Sequence, residues 1–193
     1  MQHRKRQITL KQRMGLCLAA FFAAFAMQLT LNGYQSRAVQ AVQDAQMGCF
    51  NAISRFQGGV ESSISILEAY RWENGETEEM LEKLQAACST SNAWLWRIRS
   101  NMDGLQNVSD EQWVLYGAVE TTYGSYSALL EELEGCLSSG QDAKASQLYY
   151  NKVSVCGGYL SQYTMQLLKA SILDAQTTYT EISAVSYTHL TLP

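Results

Sequence analysis

Apolar residues recur every three or four positions from Ala38 onward, which is the period of an α-helix. Three polar or glycine-containing breaks, at residues 72–75, 103–104 and 138–140, divide the pattern into four helices. The third helix has the clearest start, because the sequence Ser109-Asp110-Glu111-Gln112 is a capping box with Ser109 at the N-cap. No segment requires a strand, so the pattern predicts an all-α chain.

The lengths of the four predicted helices suit an up-down four-helix bundle. The outer two helices span about 40 residues each and the inner two about 30, at a rise of about 1.5 Å per residue. Antiparallel packing of neighbours buries four apolar stripes with short connections. The bundle is predicted to occupy residues 37–183.

An uncharged segment, residues 14–36, precedes the bundle and extends roughly 34 Å as a helix, against a hydrocarbon core of about 30 Å. The net charge of −4 hides an asymmetry, since residues 1–13 are basic and all 18 acidic residues follow the segment. This pattern predicts a transmembrane helix in a single-pass protein of the cell membrane, with a cytoplasmic tail over 1–13 and an extracytoplasmic bundle. The alternative is a signal peptide cleaved after Ala24-Phe25-Ala26.

The last ten residues, 184–193, differ in character from the helix before them. They are rich in β-branched residues and end in Pro193, the one proline of the chain. Their reverse translation matches a transposase-type sequencing adapter, so residues 185–193 are predicted to be read-through of an adapter and are set aside. His3 is then the only native histidine, which removes histidine-based catalysis and histidine-containing metal sites. We therefore expect a fragment that is not an enzyme, with no catalytic residue, cofactor or metal.

The basic stretch ITLKQRMGLCLAAFF, the helical body and the last helix, YYNKVSVCGGYLSQYTMQLLKA, together resemble the N-terminal sensor region of sensor histidine kinases of Gram-positive bacteria. The likeness is architectural and covers residues 1–183. It implies a truncated signal-input fragment of a two-component system that binds an unknown extracellular ligand and acts as a homodimer.

In that family a second membrane helix leads to a linker, a dimerisation helix with the phosphorylated histidine and an ATP-binding domain, none of which this chain contains. The fragment would relay helix displacement to this missing cytoplasmic kinase, whose partner is a response regulator. The sensor region of a methyl-accepting chemoreceptor and a membrane-tethered structural or sporulation protein are the alternatives. No nucleic-acid partner is expected.

Small residues from all four predicted helices fall at nearly one height when about 1.5 Å is counted per residue. They are Gly58, Gly59, Cys88, Gly124, Cys156, Gly157 and Gly158. Such a layer permits close helix packing, a ligand cavity or a bend in the outer helices. Cys88 and Cys156 are predicted to be neighbours, able to form a disulfide in an oxidising compartment, whereas Cys49 and Cys136 are not expected to pair with each other.

Three further side chains, Trp94, Arg97 and Trp113, are candidate ligand contacts. An indole ring can stack on a sugar or aromatic ligand, and a guanidinium can bind a carboxylate. Aromatic residues at helical spacing also fill cores, and arginines also lie on solvated faces. Both interpretations stay open at the level of sequence.

Overall fold

A computed structural model describes residues 10–70, 77–105 and 108–190 of the chain. Its helices are α1 (Leu10–Ala69), α2 (Thr77–Gly104), α3 (Asp110–Ser138), α4 (Asp142–Leu148) and α5 (Ser154–Leu190). One π-helical turn, Tyr149–Val153, joins α4 to α5, so these three elements form the fourth leg. No strand occurs in the described residues, which confirms the prediction of an all-α chain.

The ends of α3 follow from local side-chain and backbone chemistry. Ser109 caps the first turn as predicted, because its hydroxyl accepts a hydrogen bond from the Gln112 backbone N–H at 3.3 Å, and the Gln112 side chain accepts one from the Ser109 N–H. The same Ser109 N–H also lies 3.3 Å from a carboxylate oxygen of Asp174 on α5. At the other end, Gly140 adopts a φ of 69°, which favours glycine and ends the helix.

The chain divides into two compact units between Val42 and Gln43. The first unit contains the N-terminal part of α1, where large apolar side chains such as Phe21 and Phe22 are exposed. The second unit contains the rest of α1 and all the other helices.

The predicted transmembrane helix over residues 14–36 is wrong, and with it the single-pass cell-membrane localisation. Along the described residues, no helix combines the length and the apolar character that crossing a membrane requires. Polar side chains interrupt this part of α1, since Gln28, Thr30 and Asn32 follow its apolar run of alanine, leucine and phenylalanine. An uninterrupted apolar stretch this short falls below the roughly 20 residues that a spanning helix needs.

Neighbouring legs of the second unit run antiparallel. Gly59 of α1 lies against Ser91 of α2, and Gly48, earlier on α1, lies near Asn101, later on α2. The same opposite order holds between α2 and α3, where Cys88 contacts Tyr123 and Arg99 contacts Glu120. It holds between α3 and α5, where Gln112 contacts Ser171 and Thr122 contacts Cys156. It also holds between α1 and α5, where Cys49 is hydrogen-bonded to Ser171 and Ile64 lies against Gly157. These pairs give the second unit the order of an up-down four-helix bundle.

The bundle is closed by one apolar core to which all four legs contribute. Its largest fully buried side chains include Phe56 and Leu67 of α1, Leu84 and Ile98 of α2, Tyr126 and Leu133 of α3, and Leu160 and Leu167 of α5. When all buried residues are counted, as along α2 from Met80 to Met102, they recur every three or four positions, so the stripes seen in the sequence are the buried faces.

Candidate functional site

The structure separates the small residues of the predicted layer into two groups. Gly59 and Gly157 are packed tightly, whereas a Cβ added to Gly58, Gly124 or Gly158 would meet nothing within 4 Å. Each of the two glycine pairs therefore has one member in a helix contact and one member facing open space.

The two packed glycines allow α1 to approach both of its neighbours. A Cβ on Gly59 would overlap the hydroxyl oxygen of Ser91 and lie 3.4 Å from the Ser91 Cα. A Cβ on Gly157 would lie 3.1 Å from Ile64 Cδ1 and 3.2 Å from a ring carbon of Tyr126. Close packing thus accounts for Gly59 and Gly157, and it does not account for their exposed neighbours.

Cys88 and Cys156 both contact α3, at consecutive residues. The Tyr123 hydroxyl donates to the Cys88 carbonyl at 2.9 Å, and the Cys156 thiol donates to the Thr122 carbonyl at 3.7 Å. The two cysteines therefore contact adjacent residues of α3, and both are free thiols in this structure. Whether they pair in an oxidising compartment stays a prediction. Cys49 and Cys136 are free thiols as well.

Burial makes the thiols of this layer poor nucleophiles. Desolvation, assisted by the negative charge of Glu134, raises the pKa of the Cys88 thiol to about 11. Desolvation also raises the pKa of Cys156. Because the thiolate is the reactive form, a raised pKa keeps both groups protonated and unreactive at neutral pH.

Tyr126 occupies the middle of the layer. Its hydroxyl lies 2.9 Å from the Ser63 hydroxyl, which in turn donates to the Val60 carbonyl at 2.7 Å, so Tyr126 is the donor to Ser63. Burial raises the pKa of Tyr126 well above its ordinary value. Within the described residues every buried side-chain nitrogen or oxygen has a partner. The interior of the layer is therefore a packing contact whose polar groups are hydrogen-bonded, and the open space beside it lies at the surface.

A groove with a volume of about 750 Å³ opens between α1 and α2 beside the glycine pair 58–59. We call it the α1–α2 groove. Its walls include Arg55, Gly58, Ser62, Lys83, Thr90 and Trp94. Two of the predicted glycines and one predicted aromatic contact thus line the same depression.

The charges of the α1–α2 groove are distributed unevenly. Lys83 forms an ion pair with Glu79 one turn earlier on α2. Arg55 has no carboxylate within ion-pair distance among the residues that the structure describes. The Arg97 guanidinium lies 5.9 Å from the centre of the Trp94 ring, in a cation–π contact. The groove is therefore most cationic around Trp94.

Trp113 lies apart from this groove, on α3. Its ring meets the Tyr116 ring edge-on at a centroid distance of 6.2 Å. The Tyr116 hydroxyl donates to Glu120 at 3.1 Å, and this carboxylate is 3.7 Å from Arg99. The structure therefore assigns Trp113 to a surface cluster on α3 and α2, and it does not bring Trp113 together with Trp94.

A second groove, of about 840 Å³, lies between α1 and α5. Met47 and Phe50 from α1, and Ile172 and Tyr179 from α5, supply its apolar walls. None of the residues predicted from the sequence as ligand contacts lines it. This groove, lined by Met47, Phe50, Ile172 and Tyr179, therefore contains none of the predicted contacts.

Sequence reasoning missed Arg55, Lys83 and Thr90 as groove residues. A signal for Arg55 was present, since it is the one basic residue between Gln43 and Ala69 and stands four positions before Gly59. Residues four apart lie on the same face of a helix, so Arg55 is predicted to place a positive charge beside the surface formed by the glycine pair. Lys83 and Thr90 have no such signal, because only the packing of α2 on α1 brings them to the groove.

Comparison of the chain with protein-family models, with curated proteins and with solved structures gives no match. The likeness to sensor kinases therefore stays a prediction.

Proposed function

We propose that the four-helix bundle is a non-catalytic signal-input module of the kind that precedes a histidine kinase core. It binds a ligand between helices and passes the resulting change along α5. The observation that carries this proposal is the π-helical turn Tyr149–Val153, which lies just before the packed Gly157 in the leg that leads out of the bundle. Such turns are uncommon and frequently mark functional sites in helices.

The irregular leg provides a joint for small helix shifts. The π turn holds one residue more than a regular helical turn would, and Tyr149 and Val153 at its two ends are both buried. Gly158, one residue beyond the packed Gly157, faces open space and weakens the helix by about 1 kcal/mol relative to alanine. Signal transfer through helices works by shifts of about 1–2 Å, which such a joint can absorb or transmit.

A short chain of contacts connects the α1–α2 groove to α5. Ser62 lines the groove, and the next residue, Ser63, accepts the hydrogen bond of Tyr126 at 2.9 Å. Ile64 and the Tyr126 ring both lie close to the position of Gly157. A displacement of α1 at the groove therefore acts directly on α5, through side chains in contact rather than through solvent.

We further propose that the module works as a homodimer. Val155, Tyr159 and Leu173 are all more than half exposed and share one face of α5, and this exposed apolar face favours burial against a second copy. Sedimentation equilibrium of the full chain measures the oligomeric state. A monomer at concentrations of tens of micromolar would contradict the dimer.

The relay is tested by fusing the chain through α5 to a histidine kinase core and measuring autophosphorylation. Gly157→Ala inserts a methyl group between Ile64 and Tyr126, and should change kinase activity by at least about two-fold, the lower end of known coupling effects. Gly117→Ala, in the middle of α3, is the matched control, because its added methyl group meets no atom within 4 Å and it lies outside the joint. Equal effects of both substitutions, or no effect of either, would refute a relay through this contact.

The type of output domain is tested by the genomic sequence that follows the codon for residue 183. A kinase core encoded in frame supports the proposed parent protein and its response-regulator partner. A long methyl-accepting coiled coil or a non-signalling domain would replace it with one of the alternatives.

A further inference from the structure

The antiparallel packing of α1 and α2 places a cation and an indole at one end of the α1–α2 groove. From the contact between Gly59 and Ser91, Arg55 is four residues back along α1 and Trp94 is three residues forward along α2. These steps correspond to about 6 Å and about 4.5 Å in the same direction. Arg55 and Trp94, which both line the groove, are therefore at the same level.

At the opposite end of the groove, the positive charge of the one basic residue is neutralised by a carboxylate. Lys83 lines that end and is paired with Glu79. No acidic residue is among the described residues that line the groove. An anion entering the groove thus meets an unpaired guanidinium at the Trp94 end, and Arg97 over the indole adds to the positive potential there.

The middle of the groove is lined by small side chains and has open space above them. Gly58 contributes no side chain, and a Cβ at this position would meet no atom within 4 Å. Ala86 and Ala87 face it from α2, and the Thr90 hydroxyl already donates to the Ala86 carbonyl at 2.9 Å. Apart from this hydroxyl and those of Ser54 and Ser62, the lining between the charged ends consists of glycine, alanine and isoleucine, so it suits an apolar, flat body better than a sugar, whose many hydroxyls need partners.

We propose that the α1–α2 groove binds a small organic monoanion in which a carboxylate is attached to a flat apolar body. Arg55 binds the carboxylate through its two parallel N–H donors, and Trp94 stacks on the body, which lies over Gly58. A single unpaired arginine in the groove favours a monoanion over a polyphosphate. This ligand class deepens the proposed input function and rests on it.

The test uses the full chain, labelled with ¹⁵N, and 2-naphthoate as the probe. The neutral 2-naphthamide, which has the same flat body, is the matched control ligand. Titration with 2-naphthoate should shift the indole N–H signal of Trp94 and leave that of Trp113 in place. Equal affinity for the amide, or a shift confined to Trp113, would overturn the proposed site.

Variants separate the carboxylate contact from a general charge effect. Arg55→Gln should weaken 2-naphthoate binding by at least about ten-fold, as expected for the loss of a hydrogen-bonded charge partner. Arg99→Gln removes an exposed arginine of α2 that pairs with Glu120 outside the groove, and it should change the affinity less than about two-fold. Gly58→Met, which fills the open middle of the groove, should also weaken binding. Equal affinities for Arg55→Gln and the unmodified chain would overturn the proposal.

The result for the ligand is separable from the result for the relay. Binding of 2-naphthoate at Trp94 without any change of activity in the kinase fusion supports the ligand class and refutes the relay. A kinase response to Gly157→Ala without binding of 2-naphthoate supports the relay and overturns the ligand class.

Discussion

Gly58 and Gly59 are adjacent in sequence and helical in conformation, yet the same substitution should have opposite effects on them. Gly59→Ala places a methyl group against the Ser91 hydroxyl, whereas Gly58→Ala places it in open space. Ser91 is buried and its hydroxyl donates to the Ala87 carbonyl at 3.0 Å. The Ser91 side chain must therefore rotate and lose this hydrogen bond, or α1 and α2 must separate.

The magnitudes follow from two opposing terms. Alanine is favoured over glycine in a helix interior by about 1 kcal/mol. Overpacking a tight contact costs about 1–3 kcal/mol. Gly58→Ala has only the first term and should raise the free energy of unfolding by about 1 kcal/mol. Gly59→Ala has both and should lower it by about 1 kcal/mol, so the two neighbours differ by about 2 kcal/mol.

Urea unfolding of the full chain, followed by far-ultraviolet circular dichroism, measures both effects as shifts of the transition midpoint at constant slope. The double variant with Gly59→Ala and Ser91→Ala tests the cause. Removing the Ser91 hydroxyl leaves the new methyl group 3.4 Å from its nearest neighbours, an ordinary contact, so stability should recover relative to the sum of the single changes. If Gly59→Ala stabilises the chain as much as Gly58→Ala does, the close approach of α1 and α2 is wrong.

Three further predictions concern the same bundle. Ser109→Ala removes the N-cap of α3 and should lower the free energy of unfolding by about 1 kcal/mol, measured by urea unfolding. Ser109→Asp should keep most of the original stability, because aspartate also caps helices. Tyr126→Phe leaves Ser63 without its donor and should cost about 1 kcal/mol in the same assay, whereas Tyr34→Phe, at an exposed position, should cost nothing measurable. Burial raises the pKa values of the Cys49 and Cys88 thiols to about 11, above the value of 9 for an accessible thiol, so their contribution to stability is present below pH 9 and is lost as the pH rises through 11. Urea midpoints measured between pH 8 and pH 11 should therefore fall, and a midpoint that stays level in this range would contradict the burial of these thiols.

The sequence was sufficient for the helical architecture because local rules act within one helix. The capping box at Ser109 and the acidic first turn of α2 depend on residues a few positions apart, and the structure begins α2 at Thr77 and α3 at Asp110. The same local rules fail at residues 14–36, where the absence of charge favours a spanning helix but polar side chains within the segment leave no described helix apolar enough to cross a membrane. The π-helical turn was not predicted, since the residues YYNKV keep an ordinary helical composition.

The candidate site was predicted only in part. Counting residues along antiparallel legs predicts that the Gly58–Gly59 pair, Cys88 and the Cys156–Gly158 segment lie near one level, because the helical rise per residue is constant. Height along the helix axis does not determine which direction a residue faces. Counting residues therefore cannot distinguish Gly59, which lies in a helix contact, from Gly58, which lies in the open groove. It also placed Trp94 and Trp113 in one group, although they lie in different surface clusters.

The set of helices, their order and their buried stripes can be predicted from the sequence, since these properties follow from spacing within each segment. Which faces of two helices meet is set only when the helices pack together. The pairing of Gly59 with Ser91 brings Arg55 level with Trp94, and the contact of Gly157 with Ile64 and Tyr126 joins α1 to α5. These contacts depend on side-chain shape across helices that are distant in sequence, so no local pattern encodes them.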